Sequence, residues 1–197
     1  MSLINHAAKE VICKVVYVGP GLSGKTTNIQ YIYDQTQTQS KGRLMQLSSD
    51  NERTLFYDLL PLSIGELEGY RTRFHLYTLP GQIFYDVSRQ FVLKGVDGIV
   101  FVADSAAERM EANIEAFDDL KKALEGQGYD FDRLPVVFQY NKRDVPSAVT
   151  LEELQKTFNP TRRPFFEASA NRGKGVMETL QEISLRVIRE LKGGEKP

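Results

Sequence analysis

Gly19-Pro20-Gly21-Leu22-Ser23-Gly24-Lys25-Thr26 is the stretch on which the reading of this 197-residue chain turns. It fulfils the pattern G-x-x-x-x-G-K-[ST] at every fixed position. The apolar, β-branched run Val11–Val18 lies directly before it and reads as a buried strand. A helical stretch from about Lys25 to Tyr33 lies directly after it. That context gives the motif its chemistry. Glycines such as Gly19, Gly21 and Gly24 let the N–H groups of a loop that also carries Leu22 and Ser23 turn inward around an anion. The start of the helix adds its positive end. Lys25 is placed to reach outer phosphates, the Thr26 hydroxyl to ligate Mg2+, and Thr27 to meet a further phosphate oxygen.

Outward from that loop, strands alternate with helices. Residues 34–43 are small, polar and non-periodic, which predicts a loop able to move. Leu55–Ile64 and Tyr70–Leu79 read as an antiparallel hairpin joined by residues 65–69, with Phe74 and Leu76 alternating against Arg73 and His75. Pro61 demotes the first of these strands to an edge or leaves its register loose. Val96–Ala103, Pro135–Tyr140 and the short Pro164–Ala168 read as further strands. A helix from Ala106 to Leu124 would turn Met110, Ile114, Phe117, Leu120 and Leu124 to one side, and a last helix would do so with Val176, Leu180, Ile183, Val187 and Leu191. The expected fold is α/β: a P-loop NTPase with a mostly parallel six-stranded sheet, one antiparallel edge strand and helices on both faces. It forms one domain over residues 1–197, with its core at about 11–191.

Composition narrows the function classes. Lys+Arg 25 against Asp+Glu 26 leaves a formal net charge of -1, which removes the electrostatic reason to expect a nucleic-acid or anionic-membrane partner. Cys13 is the one cysteine and sits in an apolar run, so it reads as an inert buried thiol. No targeting segment, myristoylation glycine or C-terminal prenylation cysteine is visible, and the chain is expected to be cytoplasmic with no membrane anchor of its own.

A phosphate cradle serves adenine and guanine nucleotides alike. The discriminating tetrapeptide is Asn141-Lys142-Arg143-Asp144, directly after the strand ending at Tyr140. Guanine presents N1–H and an exocyclic amine side by side, and the Asp144 carboxylate can accept from both. Asn141 can bond the purine and tie loops together, and the Lys142 stem can cover the base. Ser169, Ala170 and Asn171 follow another strand, where a backbone amide can meet the guanine O6.

With these motifs in order, the chain resembles the Ras-like small GTPases over residues 11–191, and within them the bacterial branch typified by the gliding-motility protein MglA. The marks of that branch are Gly19–Thr27, the segment Thr78-Leu79-Pro80-Gly81-Gln82 and the long loop before the hairpin. The resemblance implies a GTP/GDP switch with Mg2+ as cofactor, a role in cell polarity and motility, and recruitment to cell poles by partners. It also implies a Roadblock-type, MglB-like dimer as activator, together with unidentified effectors. On that basis Gly81 would place its N–H at the γ-phosphate and Gln82 would orient the attacking water. Thr54 would be the second hydroxyl on Mg2+ beside Thr26, and Arg53 would offer a guanidinium in cis. Ile83, Phe84 and Tyr85 are apolar where exposure is expected and read as a partner-contact patch, while Phe91, Val92 and Leu93 read as core.

One position departs from the wider pattern. Most Ras-like proteins carry an Asp where this chain has Thr78, and a hydroxyl is a poorer outer-sphere partner for a hard dication than a carboxylate. Asp58 and Asp104 are both candidates to supply the missing acid. A GTP-binding scaffold with little hydrolysis and a P-loop phosphotransferase stand as competing classes.

Overall fold

The computed structural model describes residues 3–6, 8–47, 57–67, 69–79 and 86–193. Its strands form one eight-stranded sheet. β1 is Leu3–Asn5, β2 Glu10–Val18, β3 Met45–Leu47, β4 Tyr57–Leu67, β5 Tyr70–Thr78, β6 Gly98–Asp104, β7 Val136–Asn141 and β8 Phe165–Glu167. The helices are α1 Lys25–Gln35, α2 Asp86–Leu93, α3 Met110–Glu125, α4 Leu151–Phe158 and α5 Val176–Gly193. Strand order is β3-β4-β5-β2-β6-β7-β8, and β1 pairs with β2. β5, β2, β6, β7 and β8 run parallel, and β4 lies antiparallel to β5. This is the expected six-stranded α/β sheet, extended by the two three-residue strands β1 and β3, both antiparallel to their neighbours.

The central strands are buried on both sides, which is why their sequences run almost continuously apolar. Side-chain alternation divides β2 and β6 between two cores. Val11, Cys13, Val15 and Tyr17 of β2 join Val100 and Val102 of β6, Ile29 and Ile32 of α1, and Ile183 and Val187 of α5. Val16 and Val18 join Ile99, Phe101 and Ala103 on the opposite face, against Leu93, Phe117, Leu120 and Phe158. There Phe101 and Phe117 meet edge-on with centroids 4.9 Å apart.

Three expectations need correction. Ile114 does not share the buried face of α3; it is 44% exposed, and Asn113 is buried instead, exchanging hydrogen bonds with the backbone of Asp104. Phe91 is 62% exposed while Val92 and Leu93 are buried, because three consecutive residues of a helix span too wide an arc to share one face. β4 is not the sheet edge, since β3 pairs with its outer side and Gly42 N–H donates to the Pro61 carbonyl at 2.8 Å. The same bond anchors one end of the 34–43 loop, within which Thr38–Ser40 form a short 3-10 turn. Pro61 sits opposite His75, and the register shift that follows between Ser63 and Glu66 agrees with the other alternative, a loose register.

Candidate functional site

Apart from Asp58, which the antiparallel β4 carries, the elements of the site lie at the carboxyl ends of parallel strands, the usual place for a ligand in such a sheet. The Gly19–Thr26 loop leaves β2, Thr78 ends β5, Asp104 ends β6, Asn141 ends β7, and Ser169–Asn171 follow β8. Two glycines of the loop are required by its path. Gly24 has φ +97 and a Cβ there would meet Asn141 Nδ2 at 2.2 Å; at Gly19, φ +152, it would meet the Val102 carbonyl oxygen at 2.1 Å. Gly21 and Ser23 lie between them, with Leu22 at φ +65 and its side chain 80% exposed.

Lys25 is buried and donates to the carbonyls of Gly19, 2.9 Å, and Pro20, 2.6 Å. Burial pushes its ammonium down to about 8, opposed by the nearby Asp58 carboxylate and reinforced by Arg109. Thr26, on the first turn of α1, donates its hydroxyl to Asp58 Oδ2 at 2.7 Å. Thr78 donates to the same carboxylate oxygen at 2.9 Å and accepts from the Asp58 N–H, also at 2.9 Å. The pair of candidate acids is thereby separated. Asp58, carried by the antiparallel strand β4, stands between Thr26 and Thr78, while Asp104 faces Lys142 Nζ at 2.7 Å and Arg109 Nε at 3.8 Å. Two hydroxyls and a carboxylate form an all-oxygen donor set that suits a hard cation such as Mg2+. Thr27 is exposed on the same helical turn.

On the base side, Asn141 joins three loops. Its Nδ2 donates to the Ser23 carbonyl at 2.7 Å and its Oδ1 accepts from the Ala170 N–H at 2.9 Å. Behind it, Gln139 bonds Asn28 Oδ1 and Thr179 Oγ1, at 2.9 Å and 3.0 Å, and so ties α1 to α5 under the site. Asp144 Oδ1 accepts the Ser169 hydroxyl at 2.7 Å, and Arg172 lies 3.5 Å from Oδ2. The Ser169 bond, helped by Arg172, holds the Asp144 carboxyl below its ordinary range and keeps it an acceptor at neutral pH. Lys142 adopts φ +63, Arg143 anchors its loop to Glu167 and to the Val149 carbonyl, and Asn171 lies exposed beside Ser169 in the 3-10 turn Ala170–Arg172.

The structure therefore brings together Gly19–Thr27, Thr78, Asn141–Asp144 and Ser169–Asn171. Arg53, Thr54, Gly81, Gln82, Ile83, Phe84 and Tyr85 lie outside the described residues. Reading the sequence missed Arg109, whose guanidinium reaches the Gly21 carbonyl at 2.7 Å; no periodicity or motif marks it. It also missed Gln139, whose polarity inside the apolar run Val136–Tyr140 was the available signal, and Asn28, which sits among polar residues and carried none.

Comparison with known proteins agrees with this geometry. A family model described as the ADP-ribosylation factor family matches residues 1–187. The chain is 56% identical over 194 residues to the mutual gliding-motility protein MglA of Myxococcus xanthus (strain DK1622), covering 98% of this chain and 100% of that protein. It is 23% identical over 196 residues to ADP-ribosylation factor-like protein 6 of Caenorhabditis elegans, covering 95% of this chain and 92% of that protein.

Proposed function

The chain belongs to the ADP-ribosylation factor family of small GTPases and shares most of its sequence positions with a gliding-motility relative; from that premise we propose that it is a GTP-hydrolysing switch serving cell polarity and motility, slow alone and accelerated by a Roadblock-type, MglB-like dimer. The observation that carries the nucleotide half of this reading is the Gly19–Thr26 loop bonded through Asn141 to the loop that presents Asp144. A cradle for phosphates and an acceptor for the guanine edge are held at a fixed relation by one buried amide.

In this reading Gly19–Gly24 and Thr27 line the phosphates, Lys25 neutralises the outer ones, and Asp144 with the Ser169–Asn171 turn selects guanine. Mg2+, when bound with the nucleotide, supplies charge neutralisation at the outer phosphates. Thr26 and Thr54 would hold it, and Asp58 would do from β4 what an Asp at position 78 does in most Ras-like proteins. Gln82 orients water, Gly81 meets the γ-phosphate and Arg53 neutralises charge developing in the transfer. Ile83, Phe84 and Tyr85 form part of the partner surface. The chain is cytoplasmic and is carried to cell poles by partners; among the described residues no helix is long and apolar enough to cross a membrane.

Thr78 favours one second reading, a GTP-binding scaffold with little hydrolysis. Asp58, 2.9 Å from the Thr78 hydroxyl, argues against it by returning a carboxylate to that place.

The test is GTP turnover titrated with a purified Roadblock-type dimer, comparing wild type, Arg53→Ala and Asp58→Asn. Wild type should be stimulated strongly, and Arg53→Ala should lose about 10³-fold of the stimulated rate. Asp58→Asn should need more Mg2+ for half-maximal turnover. Full stimulation of Arg53→Ala removes the arginine from the mechanism, and an unchanged Mg2+ requirement removes Asp58. No turnover with any partner leaves the scaffold reading.

A further inference from the structure

The guanine-reading loop and the phosphate loop are joined twice. One link is the buried Asn141–Ser23 bond. The other runs through Arg109, in the 3-10 turn Ala107–Arg109 that leads into α3. Its Nη2 donates to the Gly21 carbonyl at 2.7 Å, and its Nε lies 3.8 Å from Asp104 Oδ2. The Asp104 side chain is 1% exposed, and the same oxygen lies 2.7 Å from Lys142 Nζ. Asn113 pins the Asp104 backbone by bonding its N–H and its carbonyl, and the Ala106 N–H donates to the carboxylate Oδ1 at 3.2 Å. A buried carboxylate is thus shared by two cations, one from each nucleotide-facing side, and a buried carboxylate is tolerated only with such partners.

The consequence for the phosphate loop follows from peptide planarity. In a trans peptide the carbonyl of one residue and the N–H of the next point in opposite directions. Arg109 holds the Gly21 carbonyl on its own side, so the Leu22 N–H of the same peptide is turned away from Arg109. Leu22 then takes φ +65 with its side chain 80% exposed, a backbone conformation a leucine rarely adopts unless its surroundings impose it. At the other end of the link Lys142 has φ +63. Both ends are non-glycine left-handed residues, and one continuous side-chain link spans them.

We propose that Arg109 is a positioning residue: it orients the Gly21–Leu22 peptide for phosphate binding, locks it through Asp104 and Lys142 to the guanine-reading loop, and so prolongs the residence of bound guanine nucleotide. The proposal rests on the guanine-nucleotide reading above. Arginine is required because one group must donate to a carbonyl and face a carboxylate together, which a planar fork does and a single ammonium does not.

The experiment is stopped-flow release of N-methylanthraniloyl-GDP from the full chain into excess GDP, at fixed Mg2+ and ionic strength. Arg109→Ala should release about tenfold faster than wild type, the effect of losing one hydrogen bond to a charged group. Arg109→Lys should fall between the two, and Asp104→Asn should also accelerate release. The double variant should release no faster than the faster single, since the two residues act through one link; a merely structural loss would add. If Arg109→Ala does not fold, Arg109→Lys decides, and release at the wild-type rate overturns the proposal. Additive acceleration in the double variant overturns the link. A wild-type chain that takes up no labelled GDP overturns the nucleotide reading itself, and this proposal with it.

Discussion

Lys25 is a buried cation in the loop that reads as a phosphate cradle. Burial against the Gly19 and Pro20 carbonyls holds its ammonium at about 8, whereas in an unfolded chain it titrates near 10.5. Polyphosphate beside it favours the charged form, so nucleotide binding draws a proton onto Lys25 once pH exceeds about 8. Nucleotide affinity should therefore fall as pH rises through 8, approaching about tenfold per unit. The sign for the nucleotide-free fold is the reverse: between 8 and 10.5 the unfolded chain binds more protons, so stability contributed by this group rises with pH. Calorimetry of GDP binding at pH 8.5, in two buffers of different ionisation enthalpy, should show net proton uptake; a heat independent of buffer would rule it out. At this scale the sequence was legible for placement: Lys25 stands at the start of α1, after the glycine-rich loop, and Asp144 in the loop after β7, where their motifs put them. It could not choose between Asp58 and Asp104. That choice depends on where β4 folds back beside β5, a contact between residues 20 apart that no local pattern encodes.

The element that departs most from regular geometry is β4. Its outer neighbour β3 covers only Tyr57–Leu59, Pro61 has no N–H to give, and the pairing with β5 shifts register between Ser63 and Glu66. Asp58 lies within the segment that β3 covers, so any slip of β4 carries the acid relative to Thr26 and Thr78. Amide exchange should consequently be faster at Leu59–Leu62 than at Phe138–Tyr140, which parallel strands flank on both sides, and nucleotide with Mg2+ should slow the former. Equal protection of the two segments would mean that β4 is as fixed as β7. The long strands were legible because burial on both faces leaves apolar runs bounded by glycine, proline or charge. β1 and β3 were not, since three residues are too few to show a period of two. α4 was missed although it carried a signal: Thr150 caps it by accepting from the Glu153 N–H at 3.2 Å, the first half of a Thr-x-x-Glu capping pattern. Ile114 was misplaced because helical periodicity fixes a face only to within about one residue, and the adjacent Asn113 took the inward position; Phe91 was misplaced because Phe91, Val92 and Leu93 could not all face inward.

Across the whole molecule, side-chain alternation in β2 and β6 keeps two cores apart, and the nucleotide site sits at the strand ends above both. β2 pairs with β5 from Glu10 to Tyr17, but with β6 only from Val15 to Val18, because β1 occupies the lower part of that side. The sheet thus has a short joint at its middle, directly beneath the site. Thr26, Thr78 and Asp58 stand on one side of it, and Asn141, Asp144 and Ser169 on the other. A molecule gripping phosphates on the first side and guanine on the second would act as a rivet across a seam. Pulling the chain from handles on β4 and β8 should then require more force with GDP and Mg2+ than without, the extra strength being lost in Asp144→Ala; equal rupture forces would count against it. Seen mechanically, a nucleotide held in this way would be one of the molecule's fasteners, and whatever loosened it would slacken the frame that holds it.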